Sequence, residues 1–191
     1  MIQESLKNFF RVAAFSICFV IITNQTKAQF SGGDGTSENP YQITTATELT
    51  QLATYVNAGT APYANVAVHY KLGNNITLSS TWTPIGNSST RKFRGVFDGD
   101  SNIVNNLSNL RYGMFGYVDS NGVVKNLGFA SENTYGYASE LVTSSRWEFY
   151  RGIVVGHNQG CVSNCYAIGS IRSDGISGTG FSPYHFVGGV V

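Results

Sequence analysis

Gly122-Val123-Val124-Lys125-Asn126-Leu127 is the stretch that decides the architecture, because it follows Gly113-Met114-Phe115-Gly116 and because both phrases return downstream. Gly152-Ile153-Val154-Val155-Gly156 is followed by Gly160-Cys161-Val162-Ser163-Asn164-Cys165, and Gly188-Gly189-Val190-Val191 opens the phrase again. Repetition at a period of tens of residues signals units that can bury a core only by stacking on one another. The expected fold is therefore all-β with one short N-terminal helix, wound as a stacked solenoid that is incomplete at its C-terminal end.

Asparagine is what makes the winding physical. Three segments align: Val104-Asn105-Asn106-Leu107, Val124-Lys125-Asn126-Leu127 and Val162-Ser163-Asn164-Cys165. In a straight strand, residues two apart share a face, so Val and Asn would lie on one side and the following Leu or Cys on the other. Each repeat would then expose an apolar residue. If Asn106, Asn126 and Asn164 enter the left-handed region, which Asn accepts more readily than any other residue except glycine, the chain turns a corner and both apolar residues face inward. Like residues then stack at the strand spacing of about 4.8 Å. Asn106 and Asn126, 20 residues apart, fit a single coil; Asn126 and Asn164, 38 apart, fit two coils or one coil with an excursion.

The first 28 residues read as a secretory signal, with Lys7 and Arg11 ahead of an apolar run from Val12 to Ile22 and small residues around Thr26-Lys27-Ala28. That run is shorter than the roughly 20 residues that span a bilayer. Cleavage after Ala28 is expected, giving a secreted or cell-surface protein. Loss of Lys7, Arg11, Lys27 and Glu4 takes the 12 basic and 11 acidic residues to 9 and 10. A near-neutral chain, locally basic only at Arg91-Lys92-Phe93-Arg94, argues against a nucleic-acid partner.

Residues 29–65 form the second unit. Residues 29–40 are glycine-rich and polar, a loop; Tyr41-Gln42-Ile43 is a short strand; Thr45 and Glu48 make a capping box before Leu49, Leu52, Ala53 and Val56 at helical spacing, with Gly59 as the stop. Residues 66–191 are the solenoid. Val66 to Leu72 alternates as a strand, and Phe93 to Gly99 ends in a tight Asp-Gly turn. Residues 132–151 interrupt the repeat with Tyr135, Tyr137, Trp147, Phe149 and Tyr150. They read either as a cover folded over the sheet edge or as a carbohydrate-stacking surface, which makes Tyr135, Tyr137, Trp147 and Tyr150 the candidate ligand-facing aromatics.

The Gly-apolar-apolar-Gly element followed by Gly-x-Val-x-Asn resembles the GLUG motif, a repeat of bacterial secreted and surface proteins. Gly113-Met114-Phe115-Gly116 matches it most closely, and Ile153 stands where a second glycine is usual. Asn39-Pro40-Tyr41-Gln42-Ile43, Trp82-Thr83-Pro84-Ile85-Gly86 and Phe93-Arg94-Gly95-Val96-Phe97-Asp98-Gly99 are similar to the lead-in of such proteins, so the resemblance runs over about residues 33–191. It implies a right-handed parallel β-helix-like solenoid and an adhesin-like role, in proteins that are often far longer.

Chemistry-bearing residues are sparse. Asp98 and Asp100 flank Gly99 and could bind calcium or act as acid and base, but a turn in which Asp accepts local backbone hydrogen bonds accounts for both. Asp34 with Glu38 offers too few oxygen ligands for calcium, and no metal or cofactor is expected. His157 occupies the repeat position of Tyr117 and reads as an outward-facing site; His69 and His185 have no visible partners. Cys161 and Cys165 read as buried small apolar residues, a disulfide requiring a sharp corner between them. No nucleophile, zinc or phosphate-loop motif appears. The expectation is a non-enzymatic protein that presents a repetitive face to an extracellular glycan or a surface protein and self-associates through its open C-terminal edge. The alternatives are a polysaccharide lyase or hydrolase, and a fragment of a longer surface protein.

Overall fold

The computed structural model describes residues 29–79, 81–107, 113–136, 148–173 and 184–188; the segment expected to be a secretory signal lies outside them. The chain is mostly β, with a single helix among the described residues. The helix, α1 (Ala46–Ala58), begins at Thr45, whose hydroxyl accepts from the Glu48 amide while the Glu48 carboxylate accepts from the Thr45 amide. It ends at Gly59, left-handed at φ 74°. Leu49, Leu52, Ala53 and Val56 form its buried stripe. Burying each large aliphatic of such a stripe contributes roughly 1.5–3 kcal/mol. At its C-terminal end, Asn57 Oδ1 accepts from the Gly86 and Asn87 amides and its Nδ2 donates to the Pro84 carbonyl. These bonds fasten the helix to the following chain.

The strands are β1 (Tyr41–Ile43), β2 (His69–Leu72), β3 (Ile76–Thr77), β4 (Val96–Asp98), β5 (Ile103–Asn105), β6 (Phe115–Val118), β7 (Val123–Lys125), β8 (Gly128–Gly136), β9 (Glu148–Gly152), β10 (Val155–Asn158), β11 (Cys161–Ser163), β12 (Tyr166–Ser173) and β13 (Tyr184–Gly188). Every pairing between them is parallel. One sheet runs β1-β2-β4-β7-β11 and a second β12-β8-β5-β3; β10 pairs β6, and β13 pairs β9.

Register carries the repeat. Tyr70, Phe97 and Val124 stand opposite one another at steps of 27 residues (70, 97, 124), and Val162 follows 38 later. The longer step contains the aromatic excursion, so it is one pass with an insertion. The 20-residue spacing of Asn106 and Asn126 is not a pass: Val104 pairs Ile76 and Phe129 in the second sheet, whereas Val124 belongs to the first. The segment that truly precedes Gly122–Asn126 is Gly95-Val96-Phe97-Asp98-Gly99, with glycine where the later copies carry Asn.

Inside lie Ile43, Leu72, Ile85, Phe97, Val104, Leu107, Phe115, Val124, Leu127 and Val155, all wholly buried. Aromatic contacts run through this core, from Tyr70 to Phe93 (centroids 6.2 Å), Phe93 to Phe115 (5.1 Å) and Phe97 to Phe115 (5.3 Å). Residues 29–40 are a loop as expected, and one expectation, the strand from Val66, needs correction. The polar loop at residues 29–40 hides Phe30, which is buried against Tyr41, Tyr55, Tyr63 and Tyr70 because the end of the stack needs an apolar plug. The strand expected from Val66 starts only at His69: Ala67 is left-handed at φ 61° and Val66 is 51% exposed, so the alternation there is coincidental.

Candidate functional site

The repeated glycines lie where one pass of backbone touches the next. A Cβ on Gly116 would sit 2.5 Å from the Gly86 carbonyl oxygen, and one on Gly113, left-handed at φ 89°, would collide with the Gly152 carbonyl. Neither clash has a flexible side chain to yield, so the phrase Gly113-Met114-Phe115-Gly116 lets the chain settle against both neighbours at once. Met114 and Phe115 then fill the interior, wholly buried. In the second copy Gly152 pairs Gly188, and Gly156 follows Val155 within β10.

Asn106, Asn126 and Asn164 have φ of 58°, 53° and 51°. Each corner turns the chain between sheets, so Val124 and Leu127, on either side of Asn126, are both wholly buried. Their side chains complete the corner. Asn106 Nδ2 donates to the Leu78 carbonyl at 2.7 Å. Asn126 Nδ2 donates to Asp98 Oδ1 at 3.0 Å, and Asn164 Nδ2 donates to Asn126 Oδ1 at 3.1 Å. Asp98, Asn126 and Asn164 therefore form a ladder across three passes.

Asp98 and Asp100 are occupied by this structure. Asp98 Oδ1 also accepts from the Asp100 amide at 2.9 Å, its Oδ2 meets Lys125 Nζ at 3.2 Å, and Asp100 meets Lys71 Nζ at 3.1 Å. Partial burial pushes the Asp98 carboxyl up, but hydrogen bonds from Asn126, Asp100 and Lys125 and the lysine charge outweigh it and hold the group below the usual carboxylate range. So placed, Asp98 ties β4 to the Asn126 corner and to Lys125 on β7. The turn is left-handed at Asp100 and Ser101 (φ 50° and 66°), so the expected Asp98-Gly99 turn lies one step later. Asp34 binds the amide and hydroxyl of Thr36, and Glu38 the hydroxyl of Ser37. Among the described residues, no three His, Cys, Asp or Glu side chains gather as a metal site.

His157 stands opposite Tyr117, ring centroids 5.4 Å apart, and both are partly buried. His69 pairs Val96 and His185 pairs Phe149. Of the candidate aromatics, Tyr135 lies on β8 opposite Arg172 and Tyr150 on β9 opposite Phe186, on two different strands; Tyr137 and Trp147 lie outside the described residues. The reading of both cysteines as buried is corrected at Cys161, which is exposed. Val162 faces the core, so strand alternation sends Cys161 outward, while the Asn164 corner returns Cys165 to the interior margin. Both thiols are free, and burial pushes that of Cys165 up. Beside α1 an open groove of about 330 Å³ is lined by Thr47, Thr50, Gln51, Thr54 and Leu78, with the Thr50 and Thr54 hydroxyls bonded back to helix carbonyls.

One outward column and two further cross-strand pairs escaped the sequence reading. On the first sheet, Gln42, Lys71, Asp98, Lys125 and Ser163 stack one above another. Arg94 meets Asp119 at 3.5 Å, and Lys92 Nζ donates to Gln159 Oε1 at 2.7 Å, joining further passes. The 27-residue spacing of Lys71, Asp98 and Lys125 was the signal that could have found the column.

No helix among the described residues is long and apolar enough to cross a membrane. No family model matches the chain. It is 30% identical over 174 residues, 81% of its length, to a protein of Evansella cellulosilytica provisionally named a Gly-rich membrane protein. It is 28% identical over 156 residues, 74% of its length, to a Haloquadratum walsbyi protein named halomucin. The chain spans 18% of the first relative and 2% of the second. A crystal structure from Bacteroides ovatus, provisionally named an immunoglobulin A1 protease, superposes with a TM-score of 0.55 at 23% identity, over 75% of this chain and 41% of that one. That likeness is one of fold.

Proposed function

We propose that this chain is an exported, adhesin-like β-solenoid of the GLUG-repeat kind, right-handed and parallel, which displays a regular polar face to extracellular glycan or protein. The observation that carries the reading is the stacked register of the first sheet, where outward residues fall into columns while inward ones fuse into one core. Parallel strands joined by crossovers are right-handed in nearly all proteins, which supports the handedness. The two relatives' names, one a Gly-rich membrane protein and the other halomucin, support a surface- or membrane-associated setting. A non-enzymatic role is supported by Asp98 and Asp100, the paired carboxylates of this turn, being tied to Lys125 and Lys71.

The test is a glycan array probed with purified protein, run beside reducing-sugar and unsaturated-product assays on the bound polysaccharides. Binding without product formation is expected. Product that disappears in the Asp98→Ala/Asp100→Ala double variant would instead make this a polysaccharide-cleaving enzyme. Fractionation of producing cells, with the protein found at the surface or in the medium, checks the export.

A further inference from the structure

Strand alternation gives the second sheet two faces. Val104, Phe129 and Ala167 pair in register and point toward the core. Ile103, Gly128 and Tyr166 before them, and Asn105, Ala130 and Ile168 after them, therefore point outward in two columns. β3 adds Thr77 beside Asn105. Asn75, just ahead of β3, stands level with Ile103, whose amide donates to Asn75 Oδ1 at 2.9 Å. Of the large apolar side chains exposed among the described residues, Tyr166 (45%) and Ile168 (64%) lie on this face, and Val66 lies in the loop ahead of β2. The exposure of Tyr166 and Ile168 follows from the face they occupy, not from the edge of the sheet. Exposed apolar side chains gathered in one place mark a contact surface.

Tyr166 is held there as a platform. A Cβ built on Gly128 would lie 2.6 Å from both Cζ and Oη of Tyr166 and 3.0 Å from its Cε1. A point in the plane of the ring, equally far from Cζ and Oη, would be either much nearer to Cε1 or much farther from it. The point therefore lies over the ring face. One face of Tyr166 rests flat on the bare backbone of Gly128, and the 45% exposure belongs to the other.

The surroundings decide what such a platform fits. Ile103, Ala130 and Ile168 border it with apolar surface, and Asn75, Thr77 and Asn105 border it with neutral amides and a hydroxyl. With a strand spacing of about 4.8 Å and a rise of about 3.3 Å per residue, Asn105 lies about 8 Å diagonally from Gly128. Neither column carries a charge, whereas the first sheet displays Lys71, Asp98 and Lys125. A pyranose has apolar C–H groups on its faces and hydroxyls around its rim, so it can stack on an aromatic plane while neutral amides take its hydroxyls. An anionic polysaccharide or a charged peptide would find no counter-charge in either column.

We infer that the outer face of the second sheet is a subsite for uncharged polysaccharide, with Tyr166 as the stacking platform and Asn75 and Asn105 as the groups that hold sugar hydroxyls. The inference rests on the glycan-binding reading above and assigns the contact to this face instead of the charged column of the first sheet.

The experiment is affinity electrophoresis of the purified chain through gels holding hydroxyethyl cellulose, galactomannan or xyloglucan, all uncharged, with polygalacturonate as the anionic comparison. Retardation by at least one uncharged polymer and not by polygalacturonate is expected. Tyr166→Ala should weaken that interaction about tenfold or more, and Tyr166→Phe, which keeps the ring, by less. Gly128→Ala drives a methyl against the ring from beneath. The atoms it meets are the far end of a movable side chain, so the ring must lift while the urea midpoint holds, and binding should weaken. Because both changes spoil one platform, Gly128→Ala should add nothing to Tyr166→Ala in the double variant. The urea midpoint of each variant separates loss of binding from loss of fold. Binding that survives Tyr166→Ala but is lost in Lys71→Ala or Lys125→Ala puts the glycan on the first sheet, which overturns the inference and leaves the glycan-binding reading standing. Additive losses in the double variant, or retardation by polygalacturonate alone, overturn it as well. Free migration in every gel overturns both the inference and the reading beneath it. A dimer by light scattering that Tyr166→Ala dissociates makes the occupant of this face a second copy and overturns the inference too.

Discussion

Replacing Asn126 separates the two roles that the corner residue combines. Alanine at this position must hold φ near 53°, which costs a residue with a Cβ roughly 1 kcal/mol more than glycine. It also removes the charge-assisted bond to Asp98, about 1.5 kcal/mol, and the neutral bond from Asn164, about 0.5 kcal/mol, both toward the low end because Asn126 is only half-buried. The expected losses are about 3 kcal/mol for Asn126→Ala and about 2 kcal/mol for Asn126→Gly. In thermal unfolding these correspond to drops of about 6–12 °C and 4–8 °C for a domain of this size. Urea unfolding followed by the emission of Trp82 and Trp147 measures both. Equal stability of the alanine and glycine variants would refute the claim that a left-handed backbone at the corner is a cost that asparagine lowers. Wild-type stability in both would refute the ladder.

Other outcomes follow from the same geometry. Gly116→Ala pushes a methyl against the Gly86 carbonyl with no side chain to yield, and an overpacking loss of about 1–3 kcal/mol is expected in the urea midpoint. Thr45→Ala removes the acceptor for the Glu48 amide and should cost about 1 kcal/mol, while Thr50→Ala, whose hydroxyl bonds back to Ala46 within the helix, should stay near wild type by the same measurement. Asp98 is held below the usual carboxylate range in the folded chain, so the unfolded chain binds its proton first as pH falls. The stability it supplies is complete above the unfolded value of about 4 and is lost as pH drops through the lower folded value. Urea midpoints from pH 6 to pH 2 should therefore fall less steeply in Asp98→Asn than in wild type, and parallel profiles would show that Asp98 contributes nothing.

What the sequence by itself determined were the features set by a residue and its near neighbours. The capping box at Thr45 and Glu48, the stop at Gly59 and the left-handed asparagines are such cases, because a side-chain oxygen three residues from an amide, or a residue that tolerates positive φ, acts the same wherever the chain goes. Tertiary structure alone decided which pass lies beside which. Asn106 and Asn126 share a local phrase yet sit at different corners, because Val104 is buried against Ile76 and Phe129 and Val124 against Phe97 and Val162. Parallel pairing joins residues 25 or more positions apart, and no local pattern encodes the register until apolar faces compete for burial across passes. The same competition drew Phe30 out of a glycine-rich loop into the core and left Cys161 in solvent one residue before an inward-facing valine. It also set Asp98 beside Asn126, turning a turn carboxylate into the foot of a ladder that runs through Asn126 to Asn164.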